Sequence, residues 1–279
     1  MPYKSIATIL HEPSQDKAAF EFAINFARKS GSHLHVLCVG LDDTDPGFYY
    51  AGVQALAVQQ NFESSQRVAN LLESEVRERL AIEDMTWDVQ NITTLPGGLD
   101  TFVSDTMRFH DLVILPTPYQ QSSDRGDTLI FEATVLGANR PVLMVPPASD
   151  CSCDFENVMI AWDDGVQAMA ATRASLPMIA AAKCTEITII DPPVHSHERS
   201  DPGGRLAEYI ARFGARADIS ILARSQPSIG NQLLTRAKER GFDLIVMGAY
   251  GRSPLREAIL GGATRDMLRL TSIPILMAH

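Results

Sequence analysis

The chain has little cysteine, no long apolar run and no excess of basic charge, and each shortage removes a class of protein. Four cysteines among 279 residues are too few for a disulfide-built scaffold. Cys38 and Cys184 sit in strand-like surroundings and read as core. Cys151-Ser152-Cys153 reads as an exposed linker with two free thiols, since its spacing is not Cys-x-x-Cys. No apolar stretch approaches the roughly 20 residues that span a bilayer. Met1-Pro2-Tyr3-Lys4 lacks a signal-peptide layout and runs into a strand pattern, so the expectation is a cytoplasmic protein without a membrane partner. Net charge is −10 with no long basic patch, which disfavours general nucleic-acid binding.

Several catalytic signatures are also missing. There is no Gly-x-x-x-x-Gly-Lys-Ser/Thr phosphate loop, no Gly-x-Ser-x-Gly elbow and no Gly-x-Gly-x-x-Gly after a first strand. A phosphoacceptor domain would end its third strand on Asp and place Lys after the fifth. Asn91-Ile92-Thr93 and Leu222-Ala223-Arg224 lack that Asp, and no Lys follows the last strand before His279. His195-Ser196-His197-Glu198 reads as a polar loop rather than a metal site. The expectation is a protein that is not an enzyme, with no catalytic or metal-ligating residues; slow ATP hydrolysis is the alternative, for which Asp163 is the one candidate base or metal ligand.

What the chain does have is a repeat. Asp111-Leu112-Val113-Ile114-Leu115 leads to Arg140-Pro141-Val142-Leu143-Met144. Asp243-Leu244-Ile245-Val246-Met247 leads to Ile273-Pro274-Ile275-Leu276-Met277. Tyr3 to Ile9 likewise has a counterpart in Glu156 to Trp162. Two copies of one unit explain this pattern, and the length suits two domains, 1–149 and 150–279. The copies differ in charge: residues 1–150 carry 10 Lys+Arg against 20 Asp+Glu, and residues 151–279 carry 14 against 14. The second is the better host for an anion.

Periodicity gives the elements. In the first copy, strands are expected over 4–10, 33–39, 86–92, 111–115 and 141–145, and helices over 15–30 (Ser14 as N-cap), 52–81, 99–109 and 127–138. On the long helix, Val68, Leu71, Leu72, Val76 and Leu80 form the apolar stripe, with Glu73/Arg77 and Glu75/Arg79 as i,i+4 pairs. The second copy repeats the order, with strands over 157–162, 185–190, 217–222, 243–247 and 274–277 and helices over 165–181, 203–213, 227–240 and 262–271. Near-continuous apolar strands alternating with helices indicate α/β architecture: two tandem doubly wound, Rossmann-like parallel-sheet domains of five strands each. Ligands in such sheets bind at the carboxyl ends of the strands.

One strand end stands out. Met247-Gly248-Ala249-Tyr250-Gly251 follows an apolar strand, and Gly261-Gly262-Ala263-Thr264 comes nine residues on. Glycines there let a ligand approach the backbone, and a following helix start points N–H groups at a phosphate. An ordinary strand-to-helix turn is the plainer alternative. Arg252, Arg256, Arg265 and Arg269 lie in or beside this segment.

With these residues the chain resembles the tandem form of the universal stress protein family, over essentially its whole length. Nucleotide-binding members carry Gly-x-x-Gly, nine residues, then Gly-Ser or Gly-Thr; Gly248, Gly251 and Gly261 match, and Gly262 stands where the hydroxyl residue belongs. Thr264 is a substitute hydroxyl. The family's Asp after the first strand, near adenine and ribose, corresponds to Asp163, with Ala161 lining the pocket; helix N-capping is the other role for Asp163. The resemblance thus implies ATP or another adenine nucleotide held by Ala161, Asp163, Met247, Gly248, Gly251, Arg252, Ser253, Gly261, Gly262, Ala263 and Thr264, in a stress-response protein acting by conformation or through a protein partner. In the first copy His11 replaces the Asp, and Pro116-Thr117-Pro118-Tyr119 replaces the glycines, so its site is degenerate. The resemblance also implies that strands 141–145 and 274–277 pair with one another or with another subunit. A non-binding interaction module of the same fold is the alternative.

Overall fold

The computed structural model describes residues 3–42, 55–119, 125–147, 149, 153–192, 201–250 and 262–279. Their apolar strand runs form one ten-stranded sheet. The strands are β1 (Ser5–Leu10), β2 (His33–Leu41), β3 (Trp87–Thr94), β4 (Leu112–Pro116), β5 (Val142–Val145), β6 (Asn157–Ala161), β7 (Cys184–Ile190), β8 (Asp218–Leu222), β9 (Leu244–Gly248) and β10 (Ile275–Ala278). The order is β3-β2-β1-β4-β5-β10-β9-β6-β7-β8. Each half has the same internal order, and every neighbouring pair is parallel except the join. There β5 and β10 run antiparallel, with Leu143 opposite Leu276, so the two halves share a sheet and neither exposes that edge.

The helices are α1 (Pro13–Ser30), α2 (Ala55–Leu80), α3 (Pro96–Met107), α4 (Arg125–Glu132), α5 (Val166–Ala181), α6 (Gly204–Ala211), α7 (Ile229–Arg240) and α8 (Gly262–Leu270). A π-helical turn, Ala133–Gly137, follows α4 directly. Strand alternation sends neighbouring side chains to opposite faces. Ile6, Ile114, Leu143, Ile160 and Leu276 face one cluster with α1, α2, α5 and α6. Ala7, Val113, Met144, Ile245 and Met277 face the other with α3, α4, α7 and α8. Both clusters run through both halves. No helix among the described residues is long and apolar enough to cross a membrane.

The repeated aspartates brace this frame. Asp111 Oδ2 accepts from Lys4 N at 2.7 Å and Ser5 N at 3.1 Å. Asp243 does the same for Glu156 N at 2.8 Å and Asn157 N at 3.0 Å. Each ties the turn before β4 or β9 to the first strand of its half. Some sequence expectations are corrected. On α2 the buried stripe is Ala69, Leu72, Val76 and Leu80, and Val68 and Leu71 face outward. Arg79 pairs with Glu21 and Glu83 instead of Glu75, because α2 lies against α1. The first helix begins at Pro13, ahead of Ser14, and Asp16 supplies the acceptor for the turn before it.

Candidate functional site

The carboxyl ends of β6 and β9 lie side by side, with Ala161 opposite Met247. Beyond β6 the chain turns sharply: Asp163 is exposed, Asp164 takes a left-handed φ of 60°, and Gly165 caps α5. Asp163 Oδ1 accepts from Gly165 N at 3.0 Å. This is a turn bond two residues on, so Asp163 leads into the helix and Gly165 holds the cap position. A Cβ on Gly165 would lie 2.7 Å from that carboxylate oxygen.

Gly248 ends β9 against the first turn of α5. A Cβ there would come 2.7 Å from Ala168 N and 2.8 Å from Gln167 Cβ. The missing side chain therefore lets α5 press onto the strand. After it, Ala249 is buried and donates its N–H to Ala278 O at 2.8 Å. Gly262 and Ala263 open α8, and Thr264 is buried on its next position. Ala161, Asp163, Met247 and Gly248 are thus brought to one strand-end surface. Gly251, Arg252, Ser253 and Gly261 lie outside the described residues, as do Arg256, Cys151 and His195 to Glu198.

The equivalent end of the first half is closed. His11 follows β1 and is buried between Asp16 of α1 and Asp127 of α4. Its Nδ1 lies 3.5 Å from Asp16 Oδ2, and its Nε2 3.6 Å from Asp127 Oδ1. Pro116 ends β4 where Gly248 ends β9, and Thr117 behind it is buried.

Comparison with known proteins gives the fold and this asymmetry a context. The sequence profile of the Universal stress protein family matches residues 155–279. Universal stress protein YxiE of Bacillus subtilis is 36% identical over 72 residues, 26% of this chain and 47% of that one. Universal stress protein Slr1230 of Synechocystis is 26% identical over 171 residues, 54% of each chain. The chain thus spans about half the length of the curated relatives it matches. A universal stress protein from Archaeoglobus fulgidus superposes over 98% of this chain and 97% of its own with a TM-score of 0.71, at 14% identity, a likeness of fold. Residues 155–279 thus match the universal stress protein family, and the chain as a whole shares the fold of a universal stress protein.

As in the sequence expectation, the two halves of the chain meet at their last strands. Contacts across that seam were not foreseen. Tyr250, at φ 58°, stacks on Phe131 of the other half with centroids 6.2 Å apart, and its hydroxyl donates to Glu132 Oε1 at 3.5 Å. Reciprocally, the Arg265 guanidinium lies over the Tyr119 ring at 5.7 Å. Burial raises the Glu132 carboxyl above its usual range, against the Tyr250 hydrogen bond. Two cysteine expectations are corrected. Cys153 is buried with Sγ 3.5 Å from Phe22 O, because the linker crosses α1. Cys184 is exposed at the start of β7.

Proposed function

We propose that the second half binds ATP or another adenine nucleotide at the ends of β6 and β9, and that the protein acts by conformation or through a protein partner rather than by catalysis. One observation carries this reading: Asp163 after β6 is exposed, whereas its counterpart His11 after β1 is buried among side chains. The exposed Asp163 carboxylate suits a ribose or adenine donor. The N–H groups and dipole at the start of α8 suit the phosphates. Ala161 and Met247 would floor the pocket, with Gly248, Gly251, Arg252, Ser253, Gly261, Gly262, Ala263 and Thr264 around the phosphates. The cytoplasm is the compartment that goes with this reading.

Calorimetry with ATP tests it, with one site per chain expected. Two equivalent sites would overturn the asymmetry. Gly262→Ser should tighten ATP binding about 10- to 150-fold, since a hydrogen bond to a charged phosphate is worth roughly 1.5–3 kcal/mol. The second reading, an interaction module without nucleotide, is favoured by Gly248, whose missing Cβ α5 already explains. Absence of ATP binding in both parent and Gly262→Ser would select it.

A further inference from the structure

We infer that His11, Asp16 and Asp127 form a binding site for one divalent transition-metal cation of the zinc class in the first half, separate from the nucleotide site proposed for the second. The three residues come from three elements that only the fold unites: the end of β1, the first turn of α1 and the first turn of α4. All three are more than nine-tenths buried. One donor atom from each lies within 4.8 Å of the others. The imidazole lies between the two carboxylates, with Nδ1 3.5 Å from Asp16 Oδ2 and Nε2 3.6 Å from Asp127 Oδ1, both longer than a normal hydrogen bond of about 2.7–3.2 Å.

Asp16 supplies an independent reason. Its Oδ2 accepts from His11 N at 2.6 Å and Glu12 N at 2.8 Å, which fixes the carboxylate plane. Its Oδ1 is fully enclosed and has no hydrogen-bond partner among the described residues. A buried carboxylate oxygen in that condition costs several kcal/mol of lost hydration, and a cation removes the cost. A divalent cation is balanced by two carboxylates and takes the imidazole in its neutral form. One nitrogen and two oxygens form a donor set suited to zinc, manganese or iron(II) rather than to calcium. A fourth ligand position is left to water.

The test uses the full chain, free of any tag and stripped with chelator, titrated with ZnCl2 by calorimetry and with CoCl2 by visible absorption. One ion per chain is expected, with a cobalt spectrum of nitrogen and oxygen ligation and a higher unfolding temperature when loaded. Asp127→Asn and His11→Gln should each weaken zinc binding by about 100-fold or more, beyond the 10–100-fold typical of outer-shell changes. Undiminished binding in both variants would overturn the site, as would loss of binding only in His33→Gln or His197→Gln. Absence of binding by the parent at micromolar zinc would overturn it too. Should the variants fail to fold, X-ray absorption of the zinc-loaded parent decides: one imidazole with two carboxylates supports the site, and several imidazoles or any thiolate refutes it.

Discussion

The two halves share a frame and differ at the strand ends, and the difference separates what the fold needs from what a site needs. Asp111 and Asp243 make the same pair of backbone hydrogen bonds in each half. The strand order is the same. Where β1 and β4 end, however, His11, Thr117 and Asp127 are buried. Where β6 and β9 end, Asp163 is exposed. Residues that hold the strands in register are repeated, whereas those facing the crevice have diverged. The fold tolerates either filling because it does not depend on it.

The largest expected effect comes from forcing one half toward the other at Gly248. A valine there must displace the Ala168 and Gln167 backbone, which sits 2.7–2.9 Å from its Cβ. Overpacking against backbone that cannot yield should cost about 3 kcal/mol, read as a lower urea midpoint. In the first half Pro116 holds the equivalent place, and Pro116→Gly should cost only about 1 kcal/mol through the freer unfolded chain. Equal effects at the two positions would show that the strand ends are packed alike.

Next comes the open acid itself. Asp163→Ala should weaken ATP binding about 10-fold or more, the worth of one charge-assisted hydrogen bond. Its effect on the urea midpoint should stay near 1 kcal/mol, since the side chain is exposed and its turn bond is local. The reciprocal change, His11→Asp, should create no second nucleotide site, because Asp16 and Asp127 still occupy the crevice. A calorimetric stoichiometry of two in that variant would refute the idea that the first half is closed by its own side chains.

Most of the frame could be read from the chain, and the reasons are physical. Apolar strand runs and helical periodicity are local, so all ten strands fall within a few residues of their expected places. The pairing of β5 with β10 was expected only from the family resemblance, with another subunit as the alternative, and its antiparallel sense was not foreseen. The errors lie where distant elements meet. Cys153 is buried by Phe22 of the other half, and Arg79 turns to Glu21 on α1; neither contact leaves a mark at fixed spacing. The prolines after β4 signalled that a glycine cradle was absent. Nothing signalled what replaced it, because residues 11, 16 and 127 converge only through topology. For the glycine loop, Gly248 was legible as a close approach, but the partner in that approach is α5.

A smaller effect should separate the halves by pH. His110 packs against His35 with ring centroids 4.9 Å apart, and its Nδ1 lies 2.7 Å from Ser5 Oγ. Burial, with the facing His35, pushes its pKa down to about 4. Asp88 and Asp111 oppose that shift, and His33 adds to it. The unfolded chain then binds more protons than the native one between about pH 6.5 and 4, so stability falls as pH drops through that window. A loss on the order of 1–2 kcal/mol is expected for this nearly buried ring. Phe242 stands at the matching position before Asp243. His110→Phe should flatten that part of the profile of urea midpoint against pH, and an unchanged slope would place the titration elsewhere.

The smallest effect tests whether the seam is chemically symmetric as well as geometrically reciprocal. Tyr119 offers its ring to the Arg265 guanidinium, an attraction that phenylalanine largely preserves. Tyr250 stacks on Phe131 and also uses its hydroxyl on Glu132, at the long distance of 3.5 Å. Tyr119→Phe should therefore leave the urea midpoint almost unchanged. Tyr250→Phe should lower stability by about 0.5 kcal/mol at pH 7, the low end for a hydrogen bond. It should also raise the Glu132 pKa further, since burial lifts that carboxyl and the tyrosine hydroxyl holds it back. A carboxyl raised in the native state contributes stability that is lost as pH rises through its folded pKa. The Tyr250→Phe penalty should accordingly shrink below about pH 4, where Glu132 is protonated in both forms. If the two phenylalanine variants behave alike across that range, the seam is held by ring packing alone and the Glu132 contact adds nothing.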